Sequence, residues 1–427
     1  MRSISVSKRE KKVFSTIKLP SSKSVSNRAL IINALCEGDF KIKHLSESSD
    51  TKTLEKLLND IKEGETTLDA GDGGTTFRFL TAYLALIEGK FILTGSDRMK
   101  ERPIGILVDA LIQLGAKIKF LGKWGYPPLE IDGGNLKGGR IKIDSSVSSQ
   151  YMSALMMIAP MLKEDLNLYL EGDPVSYPYV EMTMKMMEHF GVPVHWLHKH
   201  LTITPHSYQP KDYTVEPSWT AASYWYEIAS FCDEATITLP GLYKENLHGN
   251  KIVSELYTQF GVETKFNSKG IILTVNPDKR SVEKFGFDAT NNPDIAQTLI
   301  ATCAGMNRGG YFFGMDSLKI KETDRIAAMQ SELLKFGVNT EITTKGTFHI
   351  RPLIENDNED NHEPIIITPN PPSEIISTYN DHRMAMAMAP LCLPFGKIII
   401  DNPEVVRKSY PNFWLDLEDA GFEIERV

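Results

Sequence analysis

The amino-acid sequence predicts an α/β protein in which one helix–strand unit recurs along the chain. The same junction occurs five times: a helical stretch ends at a glycine, and a short strand pattern follows. Glycine suits the left-handed position that ends a helix, and alternation of apolar and polar residues is typical of a strand. The five glycines lie roughly 70 to 84 residues apart, and they are Gly115, Gly191, Gly261, Gly337 and Gly421.

The length of the chain sets the expected number of domains. A chain of 427 residues favours two to three domains. Hydrophobic residues make up 41% and charged residues 24% of the sequence, which is typical of a globular protein with a buried core. Helix and strand patterns alternate to the end without a low-complexity tract, so the repeated α/β architecture is expected throughout.

Charge and cysteine content exclude several classes of protein. A net charge of −8 argues against a general binder of nucleic acid or membrane surfaces. The four cysteines form no CxxC pair, so we expect free thiols, a reducing cytoplasm and no metal site. No apolar run reaches the ~20 residues that span a bilayer, and the basic N-terminus lacks the apolar core of a signal peptide.

Cations are concentrated at predicted helix starts, where the helix dipole disfavours them unless an anion is also bound. In LPSSKSVSNRALIINAL (19–35), Ser21 or Ser22 is expected to cap a helix whose first turns carry Lys23 and Arg28. Arg98, Lys100 and Arg102 precede another helix. Solvated surface charge would give the same pattern at any one of these places.

A glycine-rich turn opens a further helix in DAGDGGTTFRFLTAYL (69–84). Gly74 and its neighbours allow a ligand to approach the backbone, and Thr75 or Thr76 is expected to cap the helix. The stretch lacks the lysine and the spacing of a nucleotide-binding P-loop, so alone it is weak evidence for a phosphate site.

The densest charge cluster is KIKETDR (319–325). Lys321 and Arg325 are four residues apart, so they are expected on one helix face with Glu322 beside it. This arrangement would hold an anion and place an acid/base group against it. A surface ladder of ion pairs would look similar and would contribute only ~0.3–0.5 kcal/mol per pair.

Two polar clusters complete the pattern. Ser148, Ser149 and Gln150 precede an apolar helix and offer neutral donors for a hydroxylated ligand. YNDHRMAMAMAPL (379–391) places Asp381, His382 and Arg383 before a Met/Ala helix. Cation-bearing helix starts in both halves of an acidic chain favour a substrate pair rich in phosphate and carboxylate.

Taken in order, these motifs resemble those of the 5-enolpyruvylshikimate-3-phosphate synthase family of enolpyruvyl transferases. The resemblance covers nearly the whole chain, and KETDR together with NDHRMAM is highly specific. The matching stretches are LPSSKSVSNRALIINAL, GDGGTTFR, DRMKERPIG, SVSSQYMSALMM, VSYPYVEMT, KIKETDRIAAM, YNDHRMAMA and RKSYPNF.

The resemblance implies two similar inside-out α/β domains, each built from three βαββαβ units with helices inside and sheets outside. The first, discontinuous domain would comprise residues 1–20 plus 218–427, and the second, contiguous domain residues 21–217. The active site would lie in the interdomain cleft, which closes when ligand binds.

The implied reaction moves the enolpyruvyl group of phosphoenolpyruvate to the 5-hydroxyl of shikimate 3-phosphate and releases phosphate. The implied catalytic residues are Lys23, Asp294, Glu322 and His382: Asp294 would be the base, Lys23 and Glu322 would transfer protons near phosphoenolpyruvate, and His382 would line the phosphoenolpyruvate pocket. The residues implied to bind phosphoenolpyruvate are Lys23, Gly74, Arg102, Gln150, Arg325, Arg383 and Lys408. Those implied to bind shikimate 3-phosphate are Lys23, Ser24, Arg28, Ser148, Ser149, Gln150, Ser176, Tyr179, Asp294 and Lys321. The resemblance implies a monomer that uses no cofactor and no metal.

The sequence departs from the family pattern at a few positions. Ser21 stands where glycine is usual, Asp72 where a neutral amide is usual, Ser317 where asparagine is usual and Ser218 where aspartate is usual. None of these changes removes a proposed catalytic group, but Asp72 adds repulsion near an expected anion site.

Two other functions share parts of this pattern. An enolpyruvyl transferase acting on UDP-N-acetylglucosamine would normally carry Cys or Asp in a mobile glycine-rich loop, and none of the four cysteines lies in such a loop. A non-catalytic relative that binds anions would not need Lys23, Asp294, Glu322 and His382, all of which are present.

Overall fold

The computed structural model describes residues 3–38, 40–247, 249–280, 284–343, 346–351, 372 and 374–427. The strands are β1 (Ser3–Ser7), β2 (Lys12–Thr16), β3 (Ile42–Lys43), β4 (Thr67–Asp69), β5 (Lys90–Thr94), β6 (Lys117–Phe120), β7 (Leu129–Asp132), β8 (Gly139–Asp144), β9 (Leu166–Glu171), β10 (His195–Leu197), β11 (His200–Ile203), β12 (Tyr213–Thr214), β13 (Glu234–Pro240), β14 (Phe260–Asn267), β15 (Gly270–Arg280), β16 (Lys284–Asp288), β17 (Gly309–Phe313), β18 (Thr340–Ile342), β19 (Phe348–Ile350), β20 (Ile398–Asp401) and β21 (Glu423–Arg426). The helices are α1 (Lys23–Leu35), α2 (Ser49–Lys62), α3 (Gly74–Leu86), α4 (Asp97–Lys100), α5 (Gly105–Gln113), α6 (Ser149–Ile158), α7 (Tyr177–His189), α8 (Trp219–Phe231), α9 (Val253–Leu256), α10 (Ala296–Gly305), α11 (Arg325–Lys335), α12 (His382–Met388), α13 (Cys392–Phe395) and α14 (Phe413–Asp419). The α/β class expected from the sequence is confirmed.

The chain divides into two compact units. Unit 1 comprises Met1–Pro20, Pro217–Asn246 and Asn250–Val427, and unit 2 comprises Ser21–Glu216 and Leu247–Gly249.

This division differs from the expected boundaries at two places. Pro217 belongs to unit 1, whereas the expected boundary placed it in the contiguous domain. The short segment Leu247–Gly249 belongs to unit 2, because the Leu247 N–H donates to the Glu216 carboxylate at 3.2 Å and Gly249 lies against Pro178. That each domain contains three repeating units, and that a cleft between the domains closes on ligand, remain predictions.

One topology accounts for the repetition in the sequence. Four four-stranded sheets each follow the order first, second, fourth, third strand, with the first two parallel and the others antiparallel. Unit 2 contains the sheets β4-β5-β7-β6 and β8-β9-β11-β10. Unit 1 contains β2-β13-β15-β14 and β16-β17-β19-β18. In three of these sheets a helix connects the parallel pair and a further helix precedes the hairpin; in the β2-β13 sheet, residues 21–216 and then α8 lie between the parallel strands. The order of the repeating unit is therefore β-α-β-α-β-β, and the expected order βαββαβ is wrong, because the two adjacent strands close the unit as a hairpin instead of lying in its middle.

The glycine at each predicted junction has the expected backbone. All five have φ between 75° and 107°, the left-handed region that glycine enters without strain. One junction differs from the prediction. Before Gly261 lie only α9 and a short 3₁₀ segment, and Gly261 itself lies within β14, where the register with β15 shifts.

Each unit has its own hydrophobic core, with helices in its interior. All 13 residues of α8 in unit 1 are buried, and so are 12 of the 13 residues of α3 in unit 2, far more than the single apolar stripe of a surface helix. The strands instead alternate, as in β13, where every second residue is buried. The sheets therefore cover these helices with one face and expose the other.

Smaller sheets complete the two units. In unit 2, β3 pairs in parallel with β12, and in unit 1, β1 lies between β20 and β21. Among the described residues, no helix has the length and apolar character required to cross a membrane.

Candidate active site

The first predicted cation-bearing helix start is present in unit 2. Ser22 caps α1 by accepting a hydrogen bond from the Val25 N–H at 3.3 Å, so the helix begins at Lys23. The Lys23 ammonium lies 2.8 Å from the carboxylate of Asp50, which is buried. Asp50 had not been predicted as a site residue, because as the second residue of α2 it resembles an ordinary helix-start acid.

Arg28 lies one turn further along α1 and is 2% exposed. Its guanidinium donates to the hydroxyls of Thr183 at 2.7 Å and Ser153 at 2.9 Å, and to the carbonyls of Ser24 at 2.9 Å and Tyr179 at 3.1 Å. Burial lowers the pKa of Arg28 to about 10, so it remains a cation at neutral pH. Neutral oxygens therefore hold a buried positive charge.

The glycine-rich turn starts α3 without a side-chain cap. The cap residue is Gly73, so the expectation that Thr75 or Thr76 caps this helix is wrong. Thr76 instead donates its hydroxyl to the carbonyl of Asp50 at 2.9 Å. The turn is thereby tied to the residue that pairs with Lys23.

Gly74 makes room for two arginines. A Cβ at this position would lie 2.7 Å from both terminal nitrogens of Arg102 and 2.6 Å from Nη1 of Arg78. Even alanine would therefore force the buried Arg102 guanidinium away from the start of α3. Arg78 donates to the Gly74 carbonyl at 2.9 Å, which makes it a further cation at this turn that sequence reasoning left without a role.

The predicted neutral donors start α6 and α7. Ser148 caps α6 by accepting from the Gln150 N–H at 3.3 Å, and the Gln150 side chain donates to the Thr75 hydroxyl at 3.0 Å. Ser149 is buried at the first turn. Ser176 precedes α7 with φ 56°, an uncommon backbone for a residue other than glycine. These residues all belong to unit 2.

The charge cluster at 319–325 is arranged differently from the expectation. The Asp324 carboxylate accepts from the N–H groups of Ile326 and Ala327, so α11 begins at Arg325. Lys321 therefore precedes the helix, and the prediction that it shares a helix face with Arg325 is wrong. Glu322 does lie beside Arg325, as expected, at 2.8 Å.

Arg325 is the centre of an ion-pair network in unit 1. Its guanidinium is 2% exposed and lies 2.7 Å from Asp381, 2.8 Å from Glu322 and 3.6 Å from Asp294. Burial by itself would lower the pKa of Arg325, but the Asp381 and Glu322 carboxylates outweigh it and hold the pKa above its usual value.

Two more predicted cations join this network. Arg383 lies 3.2 Å from the Asp294 carboxylate and also donates to the Asp294 carbonyl at 3.0 Å. Lys408 lies 3.2 Å from Glu322. The structure thus brings together five predicted residues from four separate chain segments: Asp294, Glu322, Arg325, Arg383 and Lys408.

Asp381 connects the network to α12. It is fully buried, caps α12 by accepting from the Arg383 N–H at 2.9 Å, and binds Arg325 through both carboxylate oxygens. The sequence showed Asp381 in the YNDHR cluster but offered no role for it. His382, which starts α12, is 1% exposed, and its Nδ1 lies 3.6 Å from Asp381.

The predicted residues thus form two groups. The unit 2 group contains Lys23, Ser24, Arg28, Gly74, Arg102, Ser148, Ser149, Gln150, Ser176 and Tyr179. The unit 1 group contains Asp294, Lys321, Glu322, Arg325, His382, Arg383 and Lys408. Within the part of the chain that the structure describes, no cluster of three or more His, Cys, Asp or Glu side chains could hold a metal ion.

Comparison with known proteins identifies the family. The profile of EPSP synthase (3-phosphoshikimate 1-carboxyvinyltransferase) matches residues 7–417. A 3-phosphoshikimate 1-carboxyvinyltransferase of Bacteroides fragilis (strain YCH46) is 42% identical over 416 residues, which is 96% of both chains.

The chain belongs to the EPSP synthase family. The resemblance found in the motifs is thereby confirmed. A second relative of the same name, from Haemophilus influenzae (strain PittEE), is 33% identical and covers 94% of this chain and 95% of its own. The solved EPSP synthase of Acinetobacter baumannii has the same fold, with a TM-score of 0.77 at 21% identity and full coverage of both chains.

Two departures from the EPSP synthase family pattern have structural explanations. Asp72 is exposed, and its carboxylate accepts a hydrogen bond from the Ser96 hydroxyl. Ser218 caps α8 by accepting from the Ala221 N–H at 3.2 Å, a role that serine fills as well as aspartate does. Ser317 lies in the 3₁₀ segment before Lys321, and nothing in the structure explains its replacement of asparagine.

Proposed function

We propose that this chain transfers the enolpyruvyl group of phosphoenolpyruvate to the 5-hydroxyl of shikimate 3-phosphate and releases phosphate. The observation that carries the proposal is the unit 1 network, in which three cations meet two carboxylates predicted for proton transfer. Membership of the EPSP synthase family supports the same reaction, as do the names of relatives that match nearly the whole chain.

The chemistry requires both proton transfer and fixed positive charge. C3 of phosphoenolpyruvate gains a proton, the 5-hydroxyl loses one, and its oxygen bonds to C2. The resulting tetrahedral ketal phosphate then loses a proton from C3 and breaks its C2–O bond to phosphate. The bound phosphate and carboxylate are anionic throughout, and breaking the C2–O bond adds negative charge to the departing phosphate, so prearranged Arg and Lys hold the substrate and lower the barrier of that step.

The unit 1 group supplies acid/base groups together with cations. We assign Asp294 as the base that accepts the proton of the 5-hydroxyl. Glu322, which contacts both Arg325 and Lys408, transfers protons near phosphoenolpyruvate. Arg325, Arg383 and Lys408 bind its carboxylate and phosphate, and His382 lines the same pocket.

The unit 2 group supplies cations and neutral donors for the same two substrates. Lys23 takes part in proton transfer and contacts both ligands. Arg102, held against Gly74, binds phosphoenolpyruvate together with Gln150. The residues assigned to shikimate 3-phosphate are Ser24, Arg28, Ser148, Ser149, Gln150, Ser176 and Tyr179, with Asp294 and Lys321 from unit 1.

The deciding experiment measures phosphate release from purified protein given phosphoenolpyruvate and an acceptor. Release with shikimate 3-phosphate but not with UDP-N-acetylglucosamine is expected. Release with the second acceptor alone would assign the chain to the sister reaction. No release with either acceptor, while shikimate 3-phosphate still raises the melting temperature, would indicate a non-catalytic anion-binding protein.

We further propose that the enzyme acts in the cytoplasm as a monomer, without a metal, a cofactor, a nucleic acid or a membrane. The net charge of −8 supports the last two points. Light scattering tests the oligomeric state, and phosphate release that persists in a strong chelator tests the absence of a metal.

A further inference from the structure

Asp294 lies in a short turn that leads directly into α10. It is the middle residue of a three-residue 3₁₀ segment, Pro293–Ile295, whose backbone hydrogen bonds run from the Ile295 N–H to the Asn292 carbonyl at 3.3 Å and from the Ala296 N–H to the Pro293 carbonyl. Such short 3₁₀ turns have poor hydrogen-bond geometry. The position of the Asp294 carboxylate must therefore be set by contacts from outside the turn.

The residue that starts this turn is tethered by its side chain. Asparagine at the start of a helix commonly caps it, but the Asn292 side chain makes no capping hydrogen bond. Its amide instead donates to the side-chain oxygen of Asn250 at 3.0 Å. Both residues are buried, at 6% and 1% exposed, so water does not compete for this bond.

The tether continues to a rigid helix. The Asn250 amide donates to the Thr220 hydroxyl at 2.6 Å, and Thr220 is the second residue of α8. Because all 13 residues of α8 are buried, its start is a fixed point in unit 1. The series Asn292–Asn250–Thr220, called the amide relay below, connects the turn bearing Asp294 to that point.

Two residues of the amide relay lie close in sequence to the points where the chain passes between the two units. Asn250 is the first residue of unit 1 after Leu247–Gly249, and Thr220 lies three residues after Pro217, where unit 1 resumes. The relay thus ties the turn of Asp294 to both of these crossing points along the chain.

We propose that Asn250 is a positioning residue for the reaction: through Asn292 and Thr220, it anchors the backbone of the turn from which the Asp294 carboxylate reaches Arg325 and Arg383. This inference rests on the proposed role of Asp294 as the base. Asn250 does not itself contact substrate. Its loss misplaces Asp294, which is the proposed base and also a proposed ligand of shikimate 3-phosphate, so turnover falls by a larger factor than the affinity for shikimate 3-phosphate, and the affinity for phosphoenolpyruvate is kept.

The test compares turnover and KM in single and double variants. Asn250→Ala and Asn292→Ala are each expected to lower kcat about tenfold, to leave the KM for phosphoenolpyruvate within about twofold, and to raise the KM for shikimate 3-phosphate by clearly less than kcat falls. In an Asp294→Asn background, where no base remains to be positioned, Asn250→Ala is expected to lower the residual kcat by less than about twofold. A purely structural residue would lower kcat by similar factors in both backgrounds.

One matched pair of variants and one control variant separate positioning from loss of folding. Thr220→Val removes the hydroxyl at nearly constant shape and is expected to lower kcat several-fold, whereas Thr220→Ser keeps the acceptor and is expected to restore kcat. Tyr257→Phe removes another buried hydrogen bond of unit 1, to Thr302 at 2.8 Å, and is expected to leave kcat unchanged.

Each contrary outcome has a distinct meaning. Near-normal turnover in Asp294→Asn would overturn the base assignment, and the positioning role would fall with it. Lost turnover in Asp294→Asn, together with equal losses from Asn250→Ala in both backgrounds, would overturn the positioning role alone. If Asn250→Ala does not fold, the Thr220 pair decides, and equal kcat in Thr220→Val and Thr220→Ser would overturn it.

Discussion

Arg28 in unit 2 and Arg325 in unit 1 are both 2% exposed, yet their surroundings are opposite. Hydroxyls and carbonyls hold Arg28, and among the described residues no carboxylate pairs with it. Three carboxylates surround Arg325. Accordingly, the pKa of Arg28 is lowered to about 10 by burial, whereas the pKa of Arg325 is raised despite its burial.

This difference indicates two ways to prepare a site for an anion. The charge of Arg28 is uncompensated, so a phosphate bound nearby would supply the missing counterion. The unit 1 network is balanced, with Arg325, Arg383 and Lys408 against Asp294, Glu322 and Asp381. An anion that binds to the unit 1 network must share its cations with these carboxylates. The carboxylates would then lie close to the bound anion, where they can donate or accept protons. The comparison therefore assigns binding mainly to unit 2 and acid/base chemistry mainly to unit 1.

The largest expected effect is on the stability of the balanced network. Asp381→Ala leaves Arg325 with less compensation in a buried place, so we expect the free energy of unfolding in urea to fall by about 3–5 kcal/mol. As a control, Asp316→Ala removes an exposed pair with Lys319 at 2.9 Å and should change it by less than about 1 kcal/mol. Equal effects would mean that burial does not distinguish the two pairs.

Turnover should depend on one proton-transfer residue from each unit. Lys23→Met and Glu322→Gln should each lower kcat by at least about tenfold while the circular dichroism spectrum is kept, because each removes a group that carries a proton. Glu404→Gln makes the same chemical change in a surface pair with Arg407 and should leave kcat unchanged. A near-normal rate in either site variant would remove that residue from its assigned role.

Replacing Arg28 should change stability in the opposite direction to breaking the network around Arg325. The pKa of Arg28 is about 10 in the folded protein, against 12.5 in the unfolded chain. Keeping Arg28 charged therefore lowers the free energy of unfolding, by on the order of 3 kcal/mol. Thr183 also donates to Ser153 at 2.8 Å, so these hydroxyls stay paired without the arginine. Arg28→Met should therefore raise the urea midpoint while the thermal shift caused by shikimate 3-phosphate is lost. A lowered midpoint would contradict this account.

Unit 1 contains the acidic counterpart of Arg28, whose effect is expected only as the pH rises. Glu227 is fully buried, and neither carboxylate oxygen has a hydrogen-bond partner among the described residues. Burial raises the pKa of Glu227 well above 4.5. The unfolded chain therefore ionises first, and rising pH favours unfolding.

Glu227→Gln removes this titration. The variant and the parent should differ by a constant amount below pH 4.5, and the parent should then lose about 1.4 kcal/mol relative to the variant for each further pH unit, up to the raised folded-state pKa. Urea unfolding at several pH values measures the difference. Parallel stability curves would show that Glu227 is not held neutral in the folded protein.

Local features of the site could be predicted where neighbours in sequence decide the geometry. Ser22 caps the helix of Lys23, Gly337 ends α11 in the left-handed region, and Glu322 lies beside Arg325 three residues away. Local patterns also gave a wrong prediction: the Asp324 cap starts α11 at Arg325, four residues after Lys321, so Lys321 does not share a helix face with Arg325.

Residues close together in the chain were enough to predict the α/β class, the recurring unit, the family and most of the cations of the candidate site. The reason is that periodicity, glycine junctions and motif order are all local features of the chain. Only the tertiary structure decided which groups those cations meet. Lys23 and Asp50 are 27 residues apart, Arg325 and Asp381 are 56 apart, and Arg28 and Thr183 are 155 apart. No local pattern records such pairs, since packing of whole helices and sheets brings them together. That packing placed Arg28 among neutral hydroxyl and carbonyl oxygens and surrounded Arg325 with three carboxylates.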